Sequence, residues 1–482
     1  MTQSRSLTLL QMNDSHAYFD LHPEIFWEAG GAAYRPAGGY ARIATLVKQI
    51  RAQATGPVLF CDGGDTLHGT FPAVETQGRA LVPILNALGL DAMTAHWDFA
   101  YSPQTLQERV AELSYPLLAI NVYDRQTKKL VFSPYLIKEI EGLRVGIIGI
   151  ASNIVDKTMP PRFSEGVYFT LGKDELPGAI TQLREQEQVD LVVLLSHLGF
   201  PQDMQLVSEV PGVDVCLSSH THNRLYRAVK QGNTLVIQSG SQGAFLGRLD
   251  LEIEDGHIKD YRHQLIEVSA SIAPDSTVAD LVEQALALNR GMLSEVVGET
   301  ATGLHRHMTL EATMDNFLLQ ALQASTGAQL AFSNGWRYGA PIPPGPIMLN
   351  ELYNVIPMNP PVSTVQLRGE EIWAMLEENL ERTFARNPYE QMGGYIKRCL
   401  GLRAYIRIEN PPGHRIQKLY VGESEVSPKE TYGAVFVTEQ GVPRKYGHKR
   451  EERTEHAVEA MRSYLAQHRR IQTELQGTFT LI

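Results

Sequence analysis

Six short segments of this chain carry carboxylates and imidazoles at positions where strands should end. They are Asn13-Asp14-Ser15-His16, Gly64-Asp65, Ala95-His96-Trp97-Asp98, Asn121, Ser196-His197 and His220-Thr221-His222. Carboxylate oxygen and neutral imidazole nitrogen suit divalent first-row cations such as Mn, Fe, Co or Zn. Asp14 and His16 stand two residues apart, as do His220 and His222, and an extended backbone would point each pair the same way. Asp65 follows Gly63-Gly64, where the missing side chains let backbone come close to an ion, and its two oxygens suit it to bridge two ions. Two neighbouring cations clamp a tetrahedral anion and lower the pKa of a shared water, so that hydroxide is available at neutral pH. A lone Asp-x-His or His-Thr-His is ordinarily a loop detail. Their occurrence together and in order, mostly just after an apolar run, is what points to one dinuclear metal centre.

The elements that must position these residues alternate in type. Apolar runs of strand length cover Leu7–Met12, Val58–Cys61, Leu117–Ile120, Val145–Ile150, Leu191–Leu195, Val213–Leu217 and Thr234–Ile237, and Leu246–Glu254 alternates like an antiparallel strand. Amphipathic helical stretches lie between them at Ile43–Ala52, Ala80–Leu88, Pro103–Leu113 and Leu176–Glu187. This alternation reads as a layered α/β domain, with functional residues past the carboxyl ends of its strands. Composition shifts near Ala273-Pro274-Asp275, which caps an expected bridging helix over 276–297. The expected division is therefore 1–275, the bridge, and a mixed α/β domain over 298–482. In that second domain helices are expected at Met314–Ser325, Gly369–Phe384 and Glu451–Ala466, and strands near Leu402–Ile408, Ile416–Val421 and Gly433–Val437.

Composition narrows the function classes. At 482 residues, 43% hydrophobic and 20% charged, the chain is an ordinary soluble enzyme of more than one domain. A net charge of -11 argues against nucleic-acid binding, which needs a basic face. No apolar run approaches the roughly 20 residues needed to span a bilayer. Cys61, Cys216 and Cys399 are too few for a disulfide scaffold and read as buried thiols. Met1 to Ser6 show neither a basic nor an apolar leader region, so the expectation is a cytoplasmic protein, or a periplasmic one if a leader has been removed.

Taken together, the six segments resemble the calcineurin-like metallophosphoesterase superfamily, and within it the 5′-nucleotidase branch. The resemblance covers nearly the whole chain. It implies a four-layer N-terminal domain, with β-sheets flanked by helices, and a C-terminal substrate-binding domain of mixed α/β type. It also implies a ligand set. Asp14, His16 and His222 would hold one metal, Asp65 would bridge, and His197 and His220 would hold the second. His96 stands where the branch normally carries an Asn ligand. Trp97 stands where it carries a catalytic His, which the acidic neighbour, here Asp98, would hold.

That replacement bears on substrate. An indole N–H is a donor only and transfers no proton at physiological pH. General acid–base help is worth about 10²–10⁴-fold, and an alkoxide leaving group needs it. A thiolate, with a pKa of about 8.5, needs little. His68 is the candidate substitute acid. The His-Trp-acid variant is similar to SoxB-type thiosulfohydrolases, which carry His-Trp-Glu. So are Gly38–Thr45, Asn334-Gly335-Trp336-Arg337 and Asn387-Pro388-Tyr389 with Gly393-Gly394. The likeness implies two manganese ions and a small anionic substrate, either a phosphorylated group or an S-sulfonate on a carrier protein. Arg337 and Arg398, with Lys397 beside them, would bind its oxygens; Asn121, Asn334 and Trp97 would line it. Nucleotidases of the branch stack the base between two rings. One ring position falls on Ile396 here and the other on Phe436, so stacking of about 1–3 kcal/mol per ring is in question.

Overall fold

The computed structural model describes residues 4–482, so the stretch Met1 to Ser6, read above as lacking leader features, falls partly outside the described residues. The chain divides into two compact units. One comprises the residues up to His22 together with Pro36–Leu288, and the other comprises Pro23–Arg35 with Asn289–Ile482. Among the described residues no helix is long and apolar enough to cross a membrane.

The first unit is built on two sheets. In one, the strands run in the order His257–Glu267, Phe245–Glu254, Arg5–Met12, Val58–Asp62 and Ala92–Met93, and the last three are mutually parallel. In the other the order is Val229–Gln231, Thr234–Ile237, Val215–Leu217, Leu191–Ser196, Leu143–Ile150 and Tyr135–Ile140. Its four central strands are parallel. Strand alternation explains how both faces of the first sheet are buried. Leu7, Leu9 and Cys61 pack with Val145, Ile147, Val193 and Leu217 between the sheets. Leu10, Met12 and Phe60 face the opposite way, into a core shared with Ile43 and Val47 of helix Tyr40–Gln53. Parallel strands send their carboxyl ends to the same edge, and this delivers the ligand loops together.

Three elements differ from expectation in this unit and at its end. Leu117–Ile120 forms isolated bridges, Met93 with Leu117 and Leu118 with Ser133, in place of a strand. The Leu176–Glu187 helix changes to a π-helical turn over Gln182–Gln186. The expected 276–297 helix is two helices, Ser276–Leu286 and Arg290–Leu293, followed by the strand Val296–Thr300. Ser276–Leu286 buries Val278 and Val282 in the first unit's core, against Tyr40–Gln53 and Val82–Leu88, so it is a packed element and not a bridge.

The second unit carries a five-stranded sheet in the order Tyr395–Leu400, Leu330–Gly335, Thr431–Phe436, Pro361–Arg368 and His448–His456. Helix Gly369–Phe384 packs its Ile372, Met375, Leu376 and Leu380 against the sheet's core. The expected helix Glu451–Ala466 is corrected here. His448–His456 is an edge strand paired antiparallel with Pro361–Arg368, and the helix begins only at Ala457. The charged run 449–453 is what a sheet edge needs to block further pairing. Helix Thr313–Thr326 and the strands Leu402–Ile406 and Ile416–Val421 lie where the pattern placed them.

Candidate metal centre

Two groups of ligand-type side chains converge at the carboxyl ends of the parallel strands. Asp65, His96, His197 and His220 form one, and Asp14, His16, Asp65 and His222 form the other; within each, ligand atoms lie within 4.8 Å of one another. Asp65 belongs to both. Its Oδ2 lies 3.2 Å from His96 Nδ1, 3.4 Å from His197 Nε2 and 3.8 Å from His16 Nε2. In the other group His16 Nε2 and His222 Nε2 stand 3.3 Å apart, and Asp14 Oδ1 is 3.3 Å from His222 Nε2.

The loops do not converge by the extended geometry expected of residues two apart. Asp14, His16, Asp65, His220 and His222 all have φ between 47° and 72°, the left-handed region that non-glycine residues seldom occupy. Such strain costs on the order of 1–3 kcal/mol per residue and persists only where surroundings over-determine it. Here the Asp14 amide donates to Gly64 O and the His16 amide to Asp65 O, each at 2.8 Å, so the first two ligand loops brace each other.

Hydrogen bonds then aim each ligand. His197 Nδ1 donates to Gly63 O at 2.5 Å, which turns Nε2 toward the carboxylates. Asp14 Oδ2 accepts from Asn13 Nδ2 and from the His220 amide, leaving Oδ1 facing the imidazoles. Asp65 Oδ1 accepts from the Trp97 amide at 2.5 Å. Asp14 Oδ1, His96 Nε2 and His197 Nε2 are buried without a hydrogen-bond partner. Buried polar atoms in that state are costly unless something pairs with them, and a divalent cation fits this donor set.

Charge is arranged to match. Burial alone would raise both carboxyls, but His96 and His197 hold Asp65 well below the usual carboxylate range, and His222 and His197 lower Asp14. Burial opposes charge on His197, yet Asp65 and Asp14 push it up to about 10. A cation bound there would supply the positive charge in place of that proton. His16, buried among other imidazoles, is down to about 4.

The remaining expected site residues fall into three sets. Trp97 lies beside the centre, half-buried, with its indole stacked on His68 at 5.0 Å and edge-on to Phe163 at 5.9 Å. Burial pushes His68 down to about 3, which weighs against its role as the substitute acid. The Asp98 carboxylate accepts from the amides of Asp65, Thr66, Leu67 and His96 at 2.8–3.1 Å, so it shapes the Asp65 loop. Asn121 is likewise structural: its amide group donates to Ala151 O and Thr170 O and accepts from the Ala151 amide.

In the second unit, Arg337 is half-buried, donates to Gly394 O at 2.9 Å and lies 4.2 Å from the Tyr395 ring, with Asn334 half-buried on the same strand end. Arg398 is corrected. It is 2% exposed, its Nε bonds Asp315 at 2.9 Å, and its fork serves Thr309 O and Met308 O. Asp315 also holds Arg306 at 2.8 Å, so the pair of guanidiniums is a structural clamp. Lys397 is committed to Gln440 O and Gly441 O. Ile396 and Phe436 both lie in the core, so Phe436 offers no face for a base. Residues to which the pattern assigned no role are Asn13, Asp62 and Gln238. Asp62 accepts from Thr66 Oγ1 and the Gly64 amide, and Gln238 Nε2 donates to Ser219 O beneath His220. The only signal for Asn13 was a polar residue ending an apolar strand beside a ligand.

The chain resembles known proteins over most of its length. The family described as 5′-nucleotidase, C-terminal domain, matches residues 296–438. The trifunctional nucleotide phosphoesterase YfkN of Bacillus subtilis is 24% identical over 467 residues, 86% of this chain but 30% of YfkN, so the chain spans under a third of that relative. The 5′-nucleotidase of Bos taurus is 26% identical over 460 residues, 86% of this chain and 78% of its own. Among solved structures, sulfate thiohydrolase SoxB of Thermus thermophilus matches with a TM-score of 0.93 at 25% identity, over 100% of this chain and 98% of SoxB. A 5′-nucleotidase precursor, also of Thermus thermophilus, matches with a TM-score of 0.87 at 25% identity, over 99% of each chain. These likenesses run the full length of the chain, onto a thiohydrolase and a 5′-nucleotidase alike, and support its resemblance to metallophosphoesterases of the 5′-nucleotidase family.

Proposed function

We propose that the protein is a dinuclear-metal hydrolase that releases sulfate from an S-sulfonate, borne on a small molecule or a carrier protein, with manganese as its metal. Two divalent cations would polarise the bound anion and lower the pKa of a shared water. Asp14, His16, Asp65, His96, His197, His220 and His222 would hold them. Asp98 and the Trp97 amide keep Asp65 in its bridging orientation. The water oxygen would bond to the sulfonate sulfur, the S–S bond would break, and the thiolate would depart with the electron pair.

The observation that carries this reading is the indole of Trp97 beside the centre. It forms an aromatic wall with His68 and Phe163 and offers no acid to a leaving group. A thiolate leaves without one. The alternative is a phosphomonoesterase acting on nucleotides, favoured by the nucleotidase relatives. Burial of Phe436 weighs against it, since that ring is then absent from any base sandwich. Arg337, half-buried and close to Tyr395, is the remaining candidate for the substrate's anion. The test is a side-by-side assay of the manganese-loaded protein on AMP, p-nitrophenyl phosphate and an S-sulfonated cysteine peptide. Turnover of the peptide above AMP is expected. Efficient AMP hydrolysis with none of the peptide would sink the sulfur reading, and tight anion binding with no turnover at all would point to a binding module.

A further inference from the structure

Below the ligand loops, one buried carboxylate joins the ends of two adjacent strands. Asp203 sits in the first turn of helix Phe200–Glu209, directly after the His197 loop, and is fully buried. Its Oδ1 accepts from Ser196 Oγ at 2.6 Å and its Oδ2 from Ser218 Oγ at 2.5 Å. Ser196 ends the strand Leu191–Ser196 and immediately precedes His197. Ser218 follows the strand Val215–Leu217, two residues before His220. The two strands are parallel neighbours, with Leu195 beside Leu217, so the carboxylate straddles their ends. Each hydroxyl has a single proton, and both are given to Asp203. Ser218 Oγ in turn accepts from Gln238 Nε2 at 2.9 Å, which ties the clamp to the neighbouring strand end.

Stability gives a weak reason to keep a carboxyl here. Burial pushes it up to about 7, and an apolar side chain of similar volume would cost less to bury. The geometry supplies a better reason. We infer that Asp203 is a positioning residue that sets His197 and His220 for the cation held by Asp65, His96, His197 and His220. The inference rests on the dinuclear reading above. The two bonds of the Asp203 carboxylate go to Ser196 and Ser218 and reach Asp14 indirectly, through the His220 amide, so the other group should lose less. Outer partners of this kind are typically worth 10–100-fold in metal affinity.

The experiment is calorimetric titration of Mn²⁺ into the chelator-stripped full-length chain, wild type against Asp203→Ala, with near-UV circular dichroism to verify folding. Wild type should take up two ions per chain. Asp203→Ala should keep one step within about twofold of wild type and weaken the other 10–100-fold. Asp203→Asn, which retains one acceptor oxygen, should restore part of the loss. Should Asp203→Ala not fold, Ser196→Ala and Ser218→Ala each remove one arm of the clamp, and each should weaken that same step. Two wild-type-like steps in folded variants, or equal weakening of both, would overturn the assignment while leaving the dinuclear reading intact. A wild type that binds no Mn²⁺ would overturn both.

Discussion

Asp65 is the residue on which both ligand groups depend, because its Oδ2 faces imidazoles of each. Asp65→Ala should therefore lose both activity and bound metal, read by metal analysis after gel filtration; an active variant with a full metal complement would refute the bridging role. Trp97→His, placed over the same backbone amide, should raise p-nitrophenyl phosphate turnover by at least about 10-fold if leaving-group assistance is what Trp97 withholds. An unchanged rate would make Trp97 a wall and nothing more. His68 provides a pH signature in the chelated protein. Its pKa is about 3 when folded against 6.5 when unfolded, so stability from the buried neutral ring is present above pH 6.5 and is lost as pH falls toward 3. Relative to His68→Phe, wild type should lose about 2 kcal/mol between pH 7.5 and 5.0 in urea unfolding. A difference that does not vary with pH would contradict this. The clustering of the ligand-type side chains was legible in the sequence because it depends on side-chain type beside a strand end. The states of Asn121, Arg398 and Phe436 were not, because the groups that satisfy or bury them come from distant segments: Ala151 and Thr170 for Asn121, Asp315 and Met308 for Arg398.

At the scale of elements, hydrophobic period placed most strands and helices, and it failed where pairing overrides it. The stretch 448–456 is charged and reads as a helical surface, yet it supplies a sheet edge because Pro361–Arg368 needs an antiparallel neighbour. The ligand loops carry the same lesson in miniature. Spacing placed Asp14 near His16, but the left-handed turn that aims them is imposed by bonds from Gly64 and Asp65, 50 residues away in the case of Asp14 and Gly64. One element was fully readable at its start. Asp275 caps Ser276–Leu286 through the Val278 amide at 3.2 Å and pairs with Lys48 Nζ at 2.5 Å. Asp275→Ala should cost about 1 kcal/mol in urea unfolding, and no measurable loss would show that packing of Val278 and Val282 alone fixes the helix.

For the whole molecule, the division into units was only partly legible, since Pro23–Arg35 joins the residues from Asn289 onward and no local pattern marks a segment that groups with distant chain. Both ligand groups belong to the first unit, so Mn²⁺ binding should raise the midpoint of that unit's thermal unfolding. At 100 times the dissociation constant one ion adds about 2.7 kcal/mol, and a midpoint unmoved by saturating Mn²⁺ would argue against a folded-state metal centre. The central proposal is that this protein keeps the metal ligands expected of 5′-nucleotidase-like metallophosphoesterases and lacks the acid that helps a leaving group depart. The most direct measurement is kcat/KM of the manganese-loaded wild type across phosphate monoesters whose leaving groups span a wide range of pKa. The account predicts a steep fall as leaving-group pKa rises, with alkoxide esters such as AMP at the bottom. A flat dependence, with AMP cleaved as readily as p-nitrophenyl phosphate, would contradict it.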